Sequence, residues 1–152
     1  MGTTLLFLLM IKHAIADLAL QHRHYNKGDK GSLKDSRNYL HALDHAVLTG
    51  LVVLVLVGLP TAIALSLLDF VLHFVIDYAK TTYINRKKLT MKSQKFWTLQ
   101  SIDQIAHMIC YLFYVIVLSL LVWASLYGIK ASGSQRWINL YFINLQPSEL
   151  MK

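Results

Sequence analysis

The stretch IAHMICYLFYVIVLSLLVWASLY at residues 105–127 is apolar from end to end apart from His107 and its small hydroxyl residues. A run of about 20 such residues crosses the hydrocarbon core of a bilayer as one helix, because a helix satisfies its backbone polar groups within the segment. Three further stretches read the same way. Residues 3–20 are apolar apart from Lys12, His13 and Asp17, and residues 39–59 and 61–79 form two more runs separated by Gly58-Leu59-Pro60-Thr61. Gly and Pro at that point stop one helix and start the next, so the second and third spans form a tight hairpin. The expected fold is all-α, a four-transmembrane-helix bundle with spans at 3–20, 39–59, 61–79 and 101–127 and a short C-terminal tail, 128–152. Within the tail, Arg136 to Phe142 mixes aromatic and polar residues, a composition suited to a strand or helix lying in the membrane interface.

Composition agrees with this reading. Of 152 residues 55% are hydrophobic and 15% charged, with a mean hydropathy of +0.45, more apolar and less charged than a soluble domain. The length allows one domain, and a soluble enzyme with a large core is excluded. Cys110 is the single cysteine, so no intrachain disulfide forms. Ala14-Ile15-Ala16 resembles a signal cleavage site, but no basic segment precedes it and Lys12-His13 interrupts the apolar run, so cleavage is not expected. Leu6 stands where a myristoylation signal needs Ser or Thr.

Fifteen Lys and Arg face eight Asp and Glu, a formal charge of +7. Eleven of the fifteen lie in two loops: Arg23, Lys27, Lys30, Lys34 and Arg37 in the first, Lys80, Arg86, Lys87, Lys88, Lys92 and Lys95 in the second. In a four-span protein these loops share one side. The positive-inside rule makes that side cytoplasmic and puts both termini and the Gly58–Pro60 turn opposite. Topology and contact with anionic lipid head groups account for the basic residues, and nucleic acid is not called for.

Every span carries ionisable residues four apart: His13 and Asp17, His41 and His45, His73 and Asp77, Asp103 and His107. Residues four apart share one helix face. With the basic loops on one side, all eight fall at one depth, near that side. An ionisable group at mid-bilayer costs on the order of 2.5–3.5 kcal/mol, so eight of them need a compensating partner such as a metal or a shared proton network. The spacing also repeats. His13/Asp17 and His73/Asp77 stand 60 apart, and His41/His45 and Asp103/His107 stand 62 apart, in outline a duplicated helical hairpin whose halves run in the same direction.

Five imidazoles and three carboxylates favour zinc, iron or manganese over calcium or magnesium, and four-helix bundles build two-metal sites from converging His and carboxylate pairs. A haem fits less well, since each His has a carboxylate or another imidazole one turn away. Around the eight, Asp44 adjoins His45 and is a candidate to orient an imidazole, and Gln21 and Gln104 are placed to hydrogen-bond carboxylates. Lys80, three residues after Asp77, either snorkels or binds lipid phosphate. Asp69 continues the His73/Asp77 stripe to the depth of Lys12, and an Asp69–Lys12 ion pair is expected. Cys110 is read as packing.

The ordered set Lys12-His13-x-x-x-Asp17-x-x-x-Gln21, His41-x-x-x-His45, His73-x-x-x-Asp77-x-x-Lys80 and Asp103-Gln104-x-x-His107 resembles a family of small bacterial and phage membrane proteins known as domain of unknown function 3307. The resemblance covers about residues 10–125. It implies a polytopic membrane protein with His and Asp at these positions, and no activity comes with it. Three classes of function follow from the residues themselves. The first is a metal-dependent hydrolase acting on a phosphoester or ester, such as that of a lipid at the inner leaflet. The second is a proton or metal-ion carrier, and the third a structural component acting through a homo-oligomer or larger membrane assembly. The chain has no nucleophilic triad, nucleotide loop, dinucleotide fingerprint or cysteine zinc motif.

Overall fold

The computed structural model describes residues 2–20, 32–131, 134–139 and 144–151; Gln21 and most of the first basic loop fall outside them. Helix α1 spans Gly2–Ala14 and continues as a π-helical segment, Ile15–Leu20; α2 spans Ser36–Val57, α3 Leu59–Arg86 and α4 Gln94–Tyr127. All four are long and apolar enough to cross a membrane.

Local chemistry sets the helix ends. Asp35 caps α2 by accepting a hydrogen bond from the Arg37 backbone N–H (3.0 Å), and the Arg37 guanidinium folds back onto the same carboxylate at 2.8 and 2.7 Å. Between α2 and α3 the chain reverses on Gly58, whose φ of 75° is a left-handed conformation natural to glycine. Pro60 then sits in the first turn of α3, where no backbone N–H is needed.

Helices α3 and α4 outrun their apolar stretches: α3 continues past 79 to Arg86, and α4 begins at Gln94 rather than near 101. Apolarity ends where the bilayer ends, whereas a helix ends where a residue stops it, and no Gly or Pro stands between residues 80 and 100. At 1.5 Å per residue the two helices are roughly 42 and 51 Å long. A hydrocarbon core is about 30 Å thick, so this hairpin projects beyond it on the basic side.

The helices form a ring in chain order: α1 packs on α2 and α4, and α3 packs on α2 and α4. Neighbours run antiparallel, which leaves α1 and α3 parallel across one diagonal and α2 and α4 across the other. The bundle is polar inside and apolar outside. Lys12, Asn38, Thr49 and all the paired His and Asp residues except His13 and Asp17 are fully buried, while Leu67, Val71, Val75, Ile109 and Ile116 are exposed. Exposed apolar faces on four long helices are surfaces for lipid. Away from the basic side, Leu5, Leu9, Val53, Ala62, Leu65 and Leu118 close the bundle as a packed apolar layer.

After α4 the chain turns back as three short antiparallel strands, β1 (Ile129–Ala131), β2 (Ser134–Asn139) and β3 (Asn144–Leu145), followed by a 3-10 turn, Pro147–Met151. The strand β2 overlaps the tail's mixed aromatic and polar stretch at residues 136–139 and packs against α4.

Candidate metal centre

The helical pairs converge as their spacing predicts. Five imidazoles meet in one layer of the bundle. His73 lies at the middle, its ring stacked between His45 (centroids 3.5 Å apart) and His107 (4.0 Å). His41 is 4.6 Å from His45 and 5.3 Å from His73, and His13 is 5.0 Å from both His45 and His107.

Carboxylates stand around this layer. Asp17 Oδ1 lies 3.1 Å from His45 Nε2 and 3.3 Å from His41 Nε2, and Asp17 Oδ2 lies 3.3 Å from His13 Nε2. The π-helical winding at Ile15–Leu20 carries Asp17 at this point, and such wider turns are frequent at functional sites. Asp77 Oδ2 is 3.5 Å from His41 Nε2 and 4.0 Å from His73 Nε2. Asp103 Oδ1 is 3.7 Å from His107 Nε2.

Six of the eight paired residues form two donor sets that share His73: Asp17, His41, His45 and His73 in one, His73, Asp77 and His107 in the other. Within each set the candidate ligand atoms lie within 4.8 Å of one another. Ligand atoms held at 2.0–2.1 Å by a tetrahedral ion are roughly 3.3 Å apart, close to the Asp17–His41 and Asp17–His45 separations. The donor chemistry, imidazole with carboxylate, suits zinc, iron or manganese. The apo arrangement is also incompletely satisfied: His45 Nδ1, His73 Nδ1 and Asp103 Oδ1 are buried without hydrogen-bond partners among the described residues. Orphans of this kind cost about 1–3 kcal/mol each.

His13 and Asp103 belong to neither set, for reasons visible in their partners. Both nitrogens of His13 are engaged, Nε2 by Gln104 Oε1 (3.2 Å) and Asp17, and Nδ1 by the Tyr111 hydroxyl (2.8 Å). Because Gln104 Oε1 and Asp17 only accept, Nε2 carries the proton and Tyr111 donates to Nδ1. Asp103 is drawn to Lys80, whose Nζ donates to Asp103 Oδ2 at 2.9 Å and to Asp77 Oδ1 at 3.2 Å. Lys80 thus bridges two carboxylates instead of reaching outward to lipid. Gln104 links the groups, since its Nε2 donates to Asp103 Oδ2 at 3.3 Å.

One turn deeper, Lys12 Nζ donates to Asp69 Oδ2 at 2.8 Å, the ion pair expected from their depth. Asp69 also accepts from Thr49 Oγ1 (2.7 Å) and the Tyr114 hydroxyl (3.2 Å), and Lys12 lies 4.6 Å above the Tyr111 ring. Asp44 does not orient His45 through its buried Oδ2, which has no hydrogen-bond partner among the described residues; the neighbouring position on a helix points about 100° away. Cys110 is half-buried against the apolar core. Gln21 lies outside the described residues.

Thr49, Tyr111 and Tyr114 belong to the site although sequence reasoning passed over them. Thr49 and Tyr111 carry the same four-residue step, His41-His45-Thr49 and Asp103-His107-Tyr111, and Tyr114 follows three residues after Tyr111 on the same face.

No curated protein and no solved structure matches the chain. Residues 5–134 match the family described as "Protein of unknown function (DUF3307)", a span that contains all four helices' His and Asp pairs. With most of its length inside that match, the chain belongs to the DUF3307 family.

Proposed function

We propose that this protein is an integral membrane metalloprotein whose His/Asp centre hydrolyses a phosphoester or ester, with its basic loops on the cytoplasmic side. The observation that carries the reading is the pair of overlapping donor sets sharing His73. Zinc, iron or manganese bound there would supply an activated water and polarise the scissile group. Hydrolysis forms a bond from the water oxygen to phosphorus or the acyl carbon, breaks the ester bond, and moves a proton from the water to the leaving oxygen. His13 stands beside both sets with its lone pair turned to Tyr111 and its Nε2–H turned to Asp17 and Gln104, so it orients those acceptors rather than binding metal, and one of the site's Asp carboxylates would carry that proton as general base. The basic residues of the loops would attract an anionic head group.

The layers of the bundle favour this reading over an ion carrier. Beyond the imidazoles come the Lys12–Asp69 pair and then Leu5, Leu9, Val53, Leu65 and Leu118, buried apolar side chains that offer an ion no ligand.

Metal analysis of the detergent-purified protein tests the centre: about one to two ions of zinc, iron or manganese per chain are expected. His73→Ala should lower the content of both sets and the thermal stability, whereas His107→Ala should affect only the second set. Metal-free protein together with an unchanged melting temperature in His73→Ala would refute the reading. Hydrolysis is tested by mass spectrometry of a phosphoester lipid in mixed micelles, where a chelator should abolish product.

A further inference from the structure

Between α1 and α4 the bundle wall opens into a cleft of about 400 Å³, a volume within the range of small-molecule sites. Its two ends differ in chemistry. Met10, Leu18 and Met108 form the outer rim, and Leu18 and Met108 are 77% and 47% exposed. His13, Asp17 and Gln104 form the inner end, beside the donor sets. A second groove of similar size, between α1 and α2, is lined by Leu5, Leu8, Leu51, Val52, Val55 and Leu56 with Thr4 as its one polar side chain. The contrast matters, since any groove on a membrane-spanning bundle can take a hydrocarbon chain, but the α1–α4 cleft joins an apolar rim to candidate ligands.

The rim faces outward between two membrane-spanning helices, so whatever enters it is dissolved in the bilayer. The inner end sits at the level of the imidazoles, near the side of the basic loops. A molecule that fills both has a hydrocarbon part in the rim and a polar part among His13, Gln104 and the centre. An ion held by the donor sets would favour an anionic head group over a cationic one at this end. We infer that the α1–α4 cleft is a lateral portal through which a membrane lipid of the leaflet on the basic side brings an anionic, phosphoester-linked head group to the His/Asp centre. The inference names the substrate class of the proposed hydrolase and rests on that reading for the chemistry, while the portal itself is tested by binding alone.

The probe is phosphatidylglycerol carrying a diazirine close to its head group, mixed into phosphatidylcholine vesicles that hold the full-length, metal-loaded protein. After illumination, labelling mapped by mass spectrometry should be several-fold higher at Leu18 and Met108 than at Val75, an exposed residue flanked by His73 and Asp77 and therefore at the same depth. Met108→Trp, which fills the cleft, should lower that labelling and the turnover of phosphatidylglycerol several-fold while metal content holds. Ile109→Trp, on the neighbouring exposed face of α4, should leave labelling as it is. Equal labelling at the cleft and at Val75 in the unmodified protein overturns the portal whether or not the variants fold, as does lipid turnover that Met108→Trp does not slow. Enriched labelling without any turnover supports the portal and removes the hydrolytic reading.

Discussion

Lys12 and Asp69 are each 3% exposed at the side chain, and their ion pair is held in unequal company. Asp69 keeps two hydroxyl donors, Thr49 and Tyr114, if the lysine is removed. Among the described residues, Lys12 without Asp69 keeps the His45 carbonyl at 3.4 Å and the face of Tyr111. Breaking a buried pair costs about 3–5 kcal/mol because one charge is left uncompensated. Asp69→Leu should therefore destabilise more than Lys12→Met, and the double variant less than the two costs added, with a coupling of about 0.5–3 kcal/mol. Unfolding of the four proteins in detergent measures this; strict additivity would show that the charges do not sense each other. The pair was legible in the sequence because both residues are charged and share a depth. The hydroxyls that complete it were not, since Thr49, Tyr111 and Tyr114 are neutral residues that an apolar span accommodates without remark. Only helical spacing links them to the imidazoles, four residues on for Thr49 and Tyr111 and seven on for Tyr114.

The helices that present these residues approach through a contact that hydropathy does not record. Gly50 lies on α2 against Ser66 of α3, so close that a Cβ at position 50 would collide with the Ser66 hydroxyl. The contact lies about one to two helical turns from His45 on α2 and His73 on α3, whose rings stack with centroids 3.5 Å apart. Gly50→Ala forces that hydroxyl to rotate, an overpacking cost on the order of 1 kcal/mol. The cost should shrink in a Ser66→Ala background, and Gly50→Leu, which no rotation can accommodate, should lower both melting temperature and metal content. If Gly50→Leu keeps full metal content, the α2–α3 spacing does not govern the centre. At this scale the sequence was half legible. Gly58 and Pro60 announced the α2–α3 turn, but the ends of α3 and α4 were misplaced by several residues because the apolar stretch stops before the helix does. The π-helical segment that carries Asp17 has no signal in residues whose composition is ordinary for a span.

Across the whole molecule, the repeat in sequence pairs α1 with α3 and α2 with α4, the helices that face each other across the ring. His13 then corresponds to His73, Asp17 to Asp77, His45 to His107 and His41 to Asp103. Applied to the first donor set, this relation predicts a second made of Asp77, Asp103, His107 and His13. The second set observed keeps Asp77 and His107 but has lost Asp103 to Lys80 and His13 to Tyr111 and Gln104, and it borrows His73 instead. Lys80 has Leu20 as its counterpart in the first half, so the cation exists on one side only. The repeated spacing was readable in the sequence, but the asymmetry of the two donor sets was not, because it depends on which partner a carboxylate finds. Lys80 competes with metal for Asp77 and Asp103 by this account. Lys80→Met should bring Asp103 back as a ligand, strengthening binding at the second set by about 10–100-fold, the scale on which partners of ligands tune a site. The variant without metal should be less stable, since the two carboxylates then lack their shared cation, and metal should restore the loss. Titration of the metal-free protein with zinc, followed by calorimetry, reads both effects. Unchanged affinity in Lys80→Met would mean that Asp103 is kept from the ion by position alone, and that the asymmetry of the centre belongs to the helices rather than to one lysine.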